Sequence, residues 1–357
     1  MRILQLIDSL EIGGAEKMAV NYANALSTRI AFSALIATRK EGFLKSQLHK
    51  NVDYLFLDRK STIDFGAVFR LKTYCKINSI THIQAHSSSF FSAFLVKLLC
   101  PKIKIIWHDH NGLSEFLSNR KSIALKIASY FFDGIVVVNY QLKKWAKNKL
   151  HCKKVLYLAN FTTLNSDENK DTFLKGIDGK RILCLANLRI QKNHFLLIEV
   201  AKKLQKLQPE WSFHLIGKDF LDDYSDKIKD IIAVENLSKS IFIYGSKQDT
   251  QHCITQAEIC VLTSQSEGLP VALLEYGLNK KAVVTTDVGE IPFIIKNNEN
   301  GFIVSKFDSA NFCLSLIKLI ENDNFRIEMG QKLFETVQKN NSENVVLETY
   351  LKWLKKK

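Results

Sequence analysis

The sequence predicts an α/β protein built of two doubly wound, Rossmann-like domains facing across a cleft. Three observations carry that expectation. The 357 residues exceed what one hydrophobic core usually covers. Short apolar runs alternate with amphipathic stretches along the chain, the pattern of βαβ units feeding a parallel sheet. The alternation breaks once, over residues 163–180, where a polar Asn-Ser-Asp-Glu-Asn-Lys-Asp segment and two glycines lack periodicity, and then restarts.

Taken in order, strands are expected at residues 3–7, 32–37, 54–57, 80–84, 103–107, 135–138 and 155–158. Helices fall between them, notably at 15–26 and 121–132. The second half repeats the scheme with strands at 181–186, 213–216, 241–244, 259–263, 282–285 and 302–304. A last amphipathic helix, 342–356, mixes Val345, Val346, Tyr350, Leu351 and Trp353 with charge. The expected domains are therefore 1–165 and 166–340, followed by a C-terminal helix within 341–357. Open parallel sheets bind ligands outside the carboxyl ends of their strands, so the strand ends are where chemistry is sought.

Composition narrows the class. Hydrophobic content of 46% and charged content of 24% are those of a soluble globular protein. The most apolar stretch, 90–107, is interrupted by Lys97, Pro101, Lys102 and Lys104, short of the ~20 apolar residues a bilayer requires. The apolar run at the start is too short for a signal peptide and reads as a buried strand. Seven dispersed cysteines without a Cys-x-x-Cys pair argue against a disulfide framework and a zinc site, and for a reducing, cytoplasmic setting.

The net charge of +14 is unevenly placed. Residues 1–165 hold 24 Lys and Arg against 10 Asp and Glu, and the remainder holds 26 against 26. A basic first half points to an anionic membrane, nucleic acid or an acidic substrate, or it reflects lysine-rich composition alone. No recognition-helix, RNP or OB pattern supports nucleic acid. For a membrane, Arg120, Lys121, Lys126, Lys143, Lys144, Trp145, Lys147, Lys149, Lys153 and Lys154 lie near Phe131 and Phe132 in one basic, aromatic region. Such a surface would make the protein peripheral on the inner face of the plasma membrane.

Four segments at strand ends carry candidate chemistry. Gly13 and Gly14 follow the first strand, where glycine permits positive φ and close approach, and a helix N-terminus offers N–H groups to phosphate; a tight turn needs no ligand, however. His108, Asp109 and His110 follow the strand ending at Trp107; two histidines two apart suit a metal, but no third ligand is evident. Arg189 and Lys192 end the first strand of the second half and can neutralise phosphate. Finally, Glu267 precedes a helix expected to begin at Pro270, and Glu275 lies a turn and a half inside it. Backbone donors at Gly268 and Leu269 would take phosphate, and the two carboxylates would take hydroxyls. Acidic residues also occur near helix starts for dipole reasons alone.

The segment Ser-Glu-Gly-Leu-Pro with Glu267 and Glu275 separated by seven residues resembles the signature of retaining GT-B glycosyltransferases, family 4. The resemblance spans the chain in order: Gly-Gly-Ala-Glu at Gly13, the histidines, the Lys192 segment, the two acids and the last helix. It implies a nucleotide-sugar as substrate, UDP-linked before GDP-linked, and a hydroxyl acceptor on a glycan or lipid-linked glycan. By the resemblance His108 faces the transferred sugar, His110 is its alternate, and His86 lies nearer the acceptor. Glu267 would hold sugar hydroxyls, Glu275 the ribose, and Lys192 with Arg189 the diphosphate, with Gly217 and Gly245 beside the nucleotide. The family pattern is Gly-Arg-Leu-x-x-x-Lys, and here Asn187 stands where its arginine is expected. Neither cofactor nor metal is expected, since no Asp-x-Asp occurs. A non-hydrolysing sugar-nucleotide epimerase and a catalytically silent nucleotide-binding partner subunit remain the alternatives.

Overall fold

A computed structural model describes residues 1–112, 117, 120–164 and 170–356. The chain divides into two compact units, Met1–Phe161 with Glu343–Lys357, and Thr162–Ser342. The expected boundary at residue 165 lies outside the described residues.

The first unit runs β1 (Arg2–Ser9), α1 (Gly14–Ser27), β2 (Phe32–Lys40), β3 (Asp53–Phe56), α2 (Phe65–Ile77), β4 (His82–His86), α3 (Phe90–Leu99), β5 (Lys104–Asp109), α4 (Ile123–Ala128), β6 (Gly134–Val137), α5 (Tyr140–Lys149) and β7 (Val155–Tyr157). Its seven strands are ordered β3-β2-β1-β4-β5-β6-β7, and every pairing is parallel. Helices on both faces explain why consecutive residues of β1, β4 and β5 are buried, whichever face of the sheet they point to.

The second unit contains β8 (Arg181–Leu185), α6 (His194–Leu207), β9 (Ser212–Ile216), α7 (Asp223–Val234), β10 (Ile241–Ile243), α8 (Thr250–Thr255), β11 (Ile259–Leu262), α9 (Val271–Leu278), β12 (Ala282–Thr286), α10 (Ile291–Ile294), β13 (Phe302–Val304), α11 (Ser309–Glu321) and α12 (Asp323–Asn341). Its six parallel strands are ordered β10-β9-β8-β11-β12-β13.

A last helix, α13 (Glu343–Lys355), belongs to the first unit. It buries Val346, Leu347, Tyr350 and Leu354. Trp353 lies where a Cβ on Gly134 would stand, 2.4 Å from the ring, so β6 begins with the one residue that admits it. Tyr350 donates to Gln84 Oε1 at 2.7 Å, and Arg29 pairs with Glu343 at 3.1 Å.

Three expectations need correction. Strands β4 and β5 run two residues beyond the apolar stretches, so His86, His108 and Asp109 lie within the ladder, with His86 opposite His108. The expected helix 121–132 shortens to α4 followed by a 3-10 turn at Ser129–Phe131. The third concerns Gly13, which is extended at φ −166° and requires no positive φ; it is the N-cap of α1, and nothing lies within 4 Å of a Cβ placed on Gly14.

Candidate functional site

In the second unit, the loops after β8, β9, β10 and β11 are stitched edge to edge. Ala186 and Leu188 donate to Ile216 O and Lys218 O at 2.9 Å each, and Gly217 donates to Gly245 O at 3.0 Å. A Cβ on Gly217 would stand 2.2 Å from Ala186 O, so only glycine permits this approach. Asn187, at the position of the family arginine, accepts from Lys218 N at 2.7 Å and so joins the two loops.

After Arg189 the chain makes a 3-10 turn, Ile190–Lys192, and Asn193 adopts a left-handed conformation at φ 51°, ψ 53° before α6 begins. Asparagine tolerates that region. The turn is pinned to the loop after β11: Thr263 Oγ1 donates to Lys192 O at 3.0 Å, and Gln265 N donates to Gln191 O at 2.8 Å. The side chains then meet. Lys192 Nζ pairs with Glu267 Oε1, and Ser264 Oγ donates to the same oxygen at 2.6 Å. The Glu267 carboxylate is buried, so this ion pair sits in a poorly hydrated place where charge acts strongly.

The loop holding Glu267 is also clamped from the β12 side. Thr286 Oγ1 donates to Ser264 O at 2.6 Å, and Glu290 N donates to Gly268 O at 3.0 Å. Gly289, at φ +58°, lies so near that an added Cβ would be 2.2 Å from Glu267 O. Pro270 is the N-cap of α9 and not its first residue, its ψ of 125° being extended. Leu269 is buried before the cap, and Glu275 is half-buried within the helix. The neighbouring Tyr276 accepts from Leu185 N at 2.7 Å, tying α9 to the end of β8. Gly245 adopts φ +69°.

Arg189 is exposed, its guanidinium 4.4 Å from the centroid of Phe220, and Lys218 Nζ lies 5.1 Å from the same ring. The two cations thus share one aromatic platform beside the Asn187 junction. Sequence reasoning missed Lys218, Phe220 and Ser264. The position of Lys218 directly after the strand-end Gly217 was the available signal.

In the first unit, the expected histidines come together. His86 Nε2 lies 2.7 Å from Gln5 Oε1, and His86 Nδ1 lies 2.8 Å from His110 Nε2. With the glutamine oxygen accepting from Nε2–H, His86 Nδ1 must accept from His110 Nε2–H. His108 Nδ1 lies 2.9 Å from Gln84 Nε2, and its Nε2 is buried with no hydrogen-bond partner. Tyr22, Phe161 and Tyr350 pack around this group, Tyr22 edge-on to His108 at 5.4 Å. His108 is buried, whereas His110 is half-buried and is the member nearer solvent. Burial lowers the pKa of all three, that of His110 to about 3, so each ring is neutral at physiological pH.

His86, expected from the sequence only as an acceptor-side residue, is the third imidazole beside His108 and His110, with one nitrogen of each ring within 4.8 Å of the others. Hydrogen bonds to Gln5 and Gln84 hold two of the rings. Asp109 is spoken for: Arg120 grips it with both nitrogens, at 2.6 and 3.0 Å, and lies over the Trp107 and Trp145 rings.

Residues 165–335 match the family model described as glycosyl transferases group 1. The chain is 27% identical over 224 residues to the poly(ribitol-phosphate) alpha-N-acetylglucosaminyltransferase of Staphylococcus aureus, a match covering 62% of this chain and 43% of that protein. It thus spans less than half the length of that relative. It is 23% identical over 340 residues to a Campylobacter jejuni alpha-1,4-N-acetyl-D-galactosaminyltransferase named for an undecaprenol-diphosphate-linked glycan, covering 92% and 91%. Among solved structures, Anabaena HepE with UDP and glucose aligns at a TM-score of 0.80 and 15% identity over 99% of each chain. A Staphylococcus aureus TarM variant with fondaparinux, alpha-GlcNAc-glycerol and UDP aligns at 0.82 and 15% over the whole of both. These likenesses show the GT-B fold.

Proposed function

We propose that the chain, whose residues 165–335 match the group 1 glycosyltransferases, is a member of that family and moves a sugar from a nucleotide-sugar to a hydroxyl of a lipid-linked or polymeric glycan in surface polysaccharide assembly. The acceptor class is carried over from the Campylobacter relative, matched along nearly its full length. UDP-sugars are the first donors to test, because the HepE structure holds UDP and glucose.

The observation that carries this reading is the Lys192–Glu267–Ser264 cluster beside the start of α9. An activated sugar departs as an oxocarbenium-like species while negative charge grows on the diphosphate. Lys192, with Arg189 and Lys218 on the adjoining loops, supplies positive charge where that leaving group would lie, without a divalent ion. Glu267 holds the lysine in place and offers its carboxylate to the sugar hydroxyls. Glu275 is assigned to the ribose. In the first unit, His108, with His110 as its alternate, is assigned to the transferred sugar by the family resemblance; His110, hydrogen-bonded to His86, is the less buried of the two. Transfer with retention follows the family resemblance.

Thermal stabilisation by UDP, GDP, ADP and TDP tests the reading. One nucleotide at a hundred times its Kd should raise stability by about 2.7 kcal/mol, and Lys192→Ala should remove most of that gain. Stabilisation by none of them overturns the assignment. Incubation with donor alone distinguishes the alternatives: an isomerised nucleotide-sugar marks an epimerase, and binding without turnover on any acceptor marks a silent subunit.

A further inference from the structure

We propose that His86, His108 and His110 form a binding site for a divalent first-row transition ion, zinc above all, within the first unit. In the sequence, two histidines two apart lacked a third ligand. The ladder supplies it, because β4 and β5 pair in a register that sets His86 opposite His108. His110 follows directly after β5. One nitrogen of each ring then lies within 4.8 Å of the others, and no second group of three His, Cys, Asp or Glu side chains stands in this way among the described residues. Three imidazoles and one open position are a known way of holding zinc. Imidazole suits zinc, copper and nickel, whereas magnesium and calcium take oxygen ligands. The adjoining carboxylate, Asp109, is taken by Arg120, so the donor set is all nitrogen.

The spacing is close to what an ion needs. Zinc–nitrogen bonds of about 2.0–2.1 Å in a tetrahedron place the nitrogens about 3.3 Å apart. His86 Nδ1 and His110 Nε2 stand 2.8 Å apart, and these two must part by about half an ångström. The widest separation must close by about 1.5 Å at most, from 4.8 Å. His86 and His108 are held in the ladder; His110, outside it and half-buried, is the ring that adjusts and the side from which an ion enters.

Each ring must also offer a lone pair, and the supporting residues permit this. Gln5 Oε1 accepts from His86 Nε2–H, which leaves Nδ1 as the lone-pair nitrogen. His110 donates from Nε2 to His86, and carrying its proton on Nδ1 instead frees that nitrogen. Gln84 decides the state of His108. Tyr350 donates to Gln84 Oε1 and the Gln84 amide nitrogen donates to His108 Nδ1, so the His108 proton sits on Nε2, buried without a partner. Turning the amide over lets Oε1 accept from Nδ1–H while the amide nitrogen donates to the Tyr350 hydroxyl. No hydrogen bond is lost, a buried donor without an acceptor disappears, and Nε2 becomes a lone pair. Gln5 and Gln84 are thus outer-shell acceptors of the kind that fix the orientation of metal-bound imidazoles. Tyr22 and Phe161 pack close by and shield the group from water.

Titration of the untagged full chain with Zn²⁺ and Co²⁺, after stripping with EDTA, tests this. One ion per chain is expected, and Tm should rise as Zn²⁺ is added. Bound Co²⁺ should show the visible bands of a tetrahedral site without thiolate charge-transfer absorbance, which separates the histidines from the seven cysteines. Mg²⁺ should not compete. His110→Gln and His108→Gln should each weaken Zn²⁺ at least about a hundredfold, since loss of a mere outer-shell partner already costs about 10–100-fold. Should either variant lose its native circular dichroism, the cobalt spectrum of the wild type decides. Wild-type protein that binds no Zn²⁺, thiolate bands or an octahedral cobalt spectrum, or variants that bind Zn²⁺ as tightly as wild type each overturn the proposal. The site lies wholly in the first unit and is tested without nucleotide, so failure of the nucleotide panel would leave this result untouched.

Discussion

Replacing Lys192 with alanine is expected to lower both stability and turnover, and the two losses can be separated. The lysine side chain is 21% exposed and that of Glu267 8%. Removing one partner of a buried ion pair costs about 3–5 kcal/mol, because the other charge stays behind uncompensated. Here Ser264 keeps its hydrogen bond to the stranded carboxylate, and the lysine is already partly hydrated. The expected cost therefore falls to about 2–3 kcal/mol. For a domain of this size each kcal/mol moves Tm by about 2–4 °C, which gives a drop of about 4–12 °C by scanning calorimetry.

The double variant Lys192→Met with Glu267→Gln removes both charges and should recover most of that Tm, a coupling a double-mutant cycle measures directly. Turnover should not recover. Loss of one preorganised electrostatic contact to a developing charge costs about 10²–10³ in kcat. A Lys192→Ala enzyme with unchanged Tm would show that the pair is no stronger than a surface contact. Turnover within about threefold of wild type would remove the lysine from the leaving-group site altogether.

Three further outcomes follow from the same geometry. Gly289→Ala forces a Cβ against Glu267 O at a positive φ, and should cost about 2–5 kcal/mol together with the nucleotide-induced Tm shift; a wild-type shift would mean the loop yields freely. Arg189→Ala and Lys218→Ala should each raise the KM for nucleotide-sugar about tenfold, with kcat falling if the contact strengthens in the transition state; steady-state kinetics on both variants decide. Finally, burial holds the pKa of His194 at about 4 and of His214 at about 3. The unfolded chain takes up these protons at about pH 6.5, so between that pH and the folded values it binds more protons than the native state. Their stability contribution is complete above about pH 6.5 and declines as pH falls, by about 1.4 kcal/mol per pH unit for each histidine. Urea midpoints that stay flat from about pH 7 to about pH 5 would contradict this assignment.

The strand pattern was legible because most strands of a doubly covered parallel sheet are short apolar runs, and such runs announce themselves. Strand ends were less so. His86, His108 and Asp109 remain in the ladder only because Gln5, Gln84 and Arg120 satisfy them, and those partners are brought near by folding. The two acids of the Glu267 segment were conspicuous by spacing. That Glu267 holds Lys192, 75 residues earlier, was not, since it depends on β8 and β11 being neighbours. The role of Gly289 in abutting the Glu267 carbonyl requires the β12 loop to arrive from outside the motif.

Because Trp353 occupies the space over Gly134 and Tyr350 reaches Gln84, the central sheet of the first unit acquires its cover from residues translated after the whole second unit. During synthesis the leading segment must wait, with the patch destined for α13 still open to water, while the later segment can complete its own core. Burying Val346, Leu347, Tyr350 and Leu354 is worth roughly 6–12 kcal/mol at most, comparable to the net stability of an entire domain. Cleavage of the backbone just before α13 would therefore undo the half of the molecule farthest from the cut along the chain.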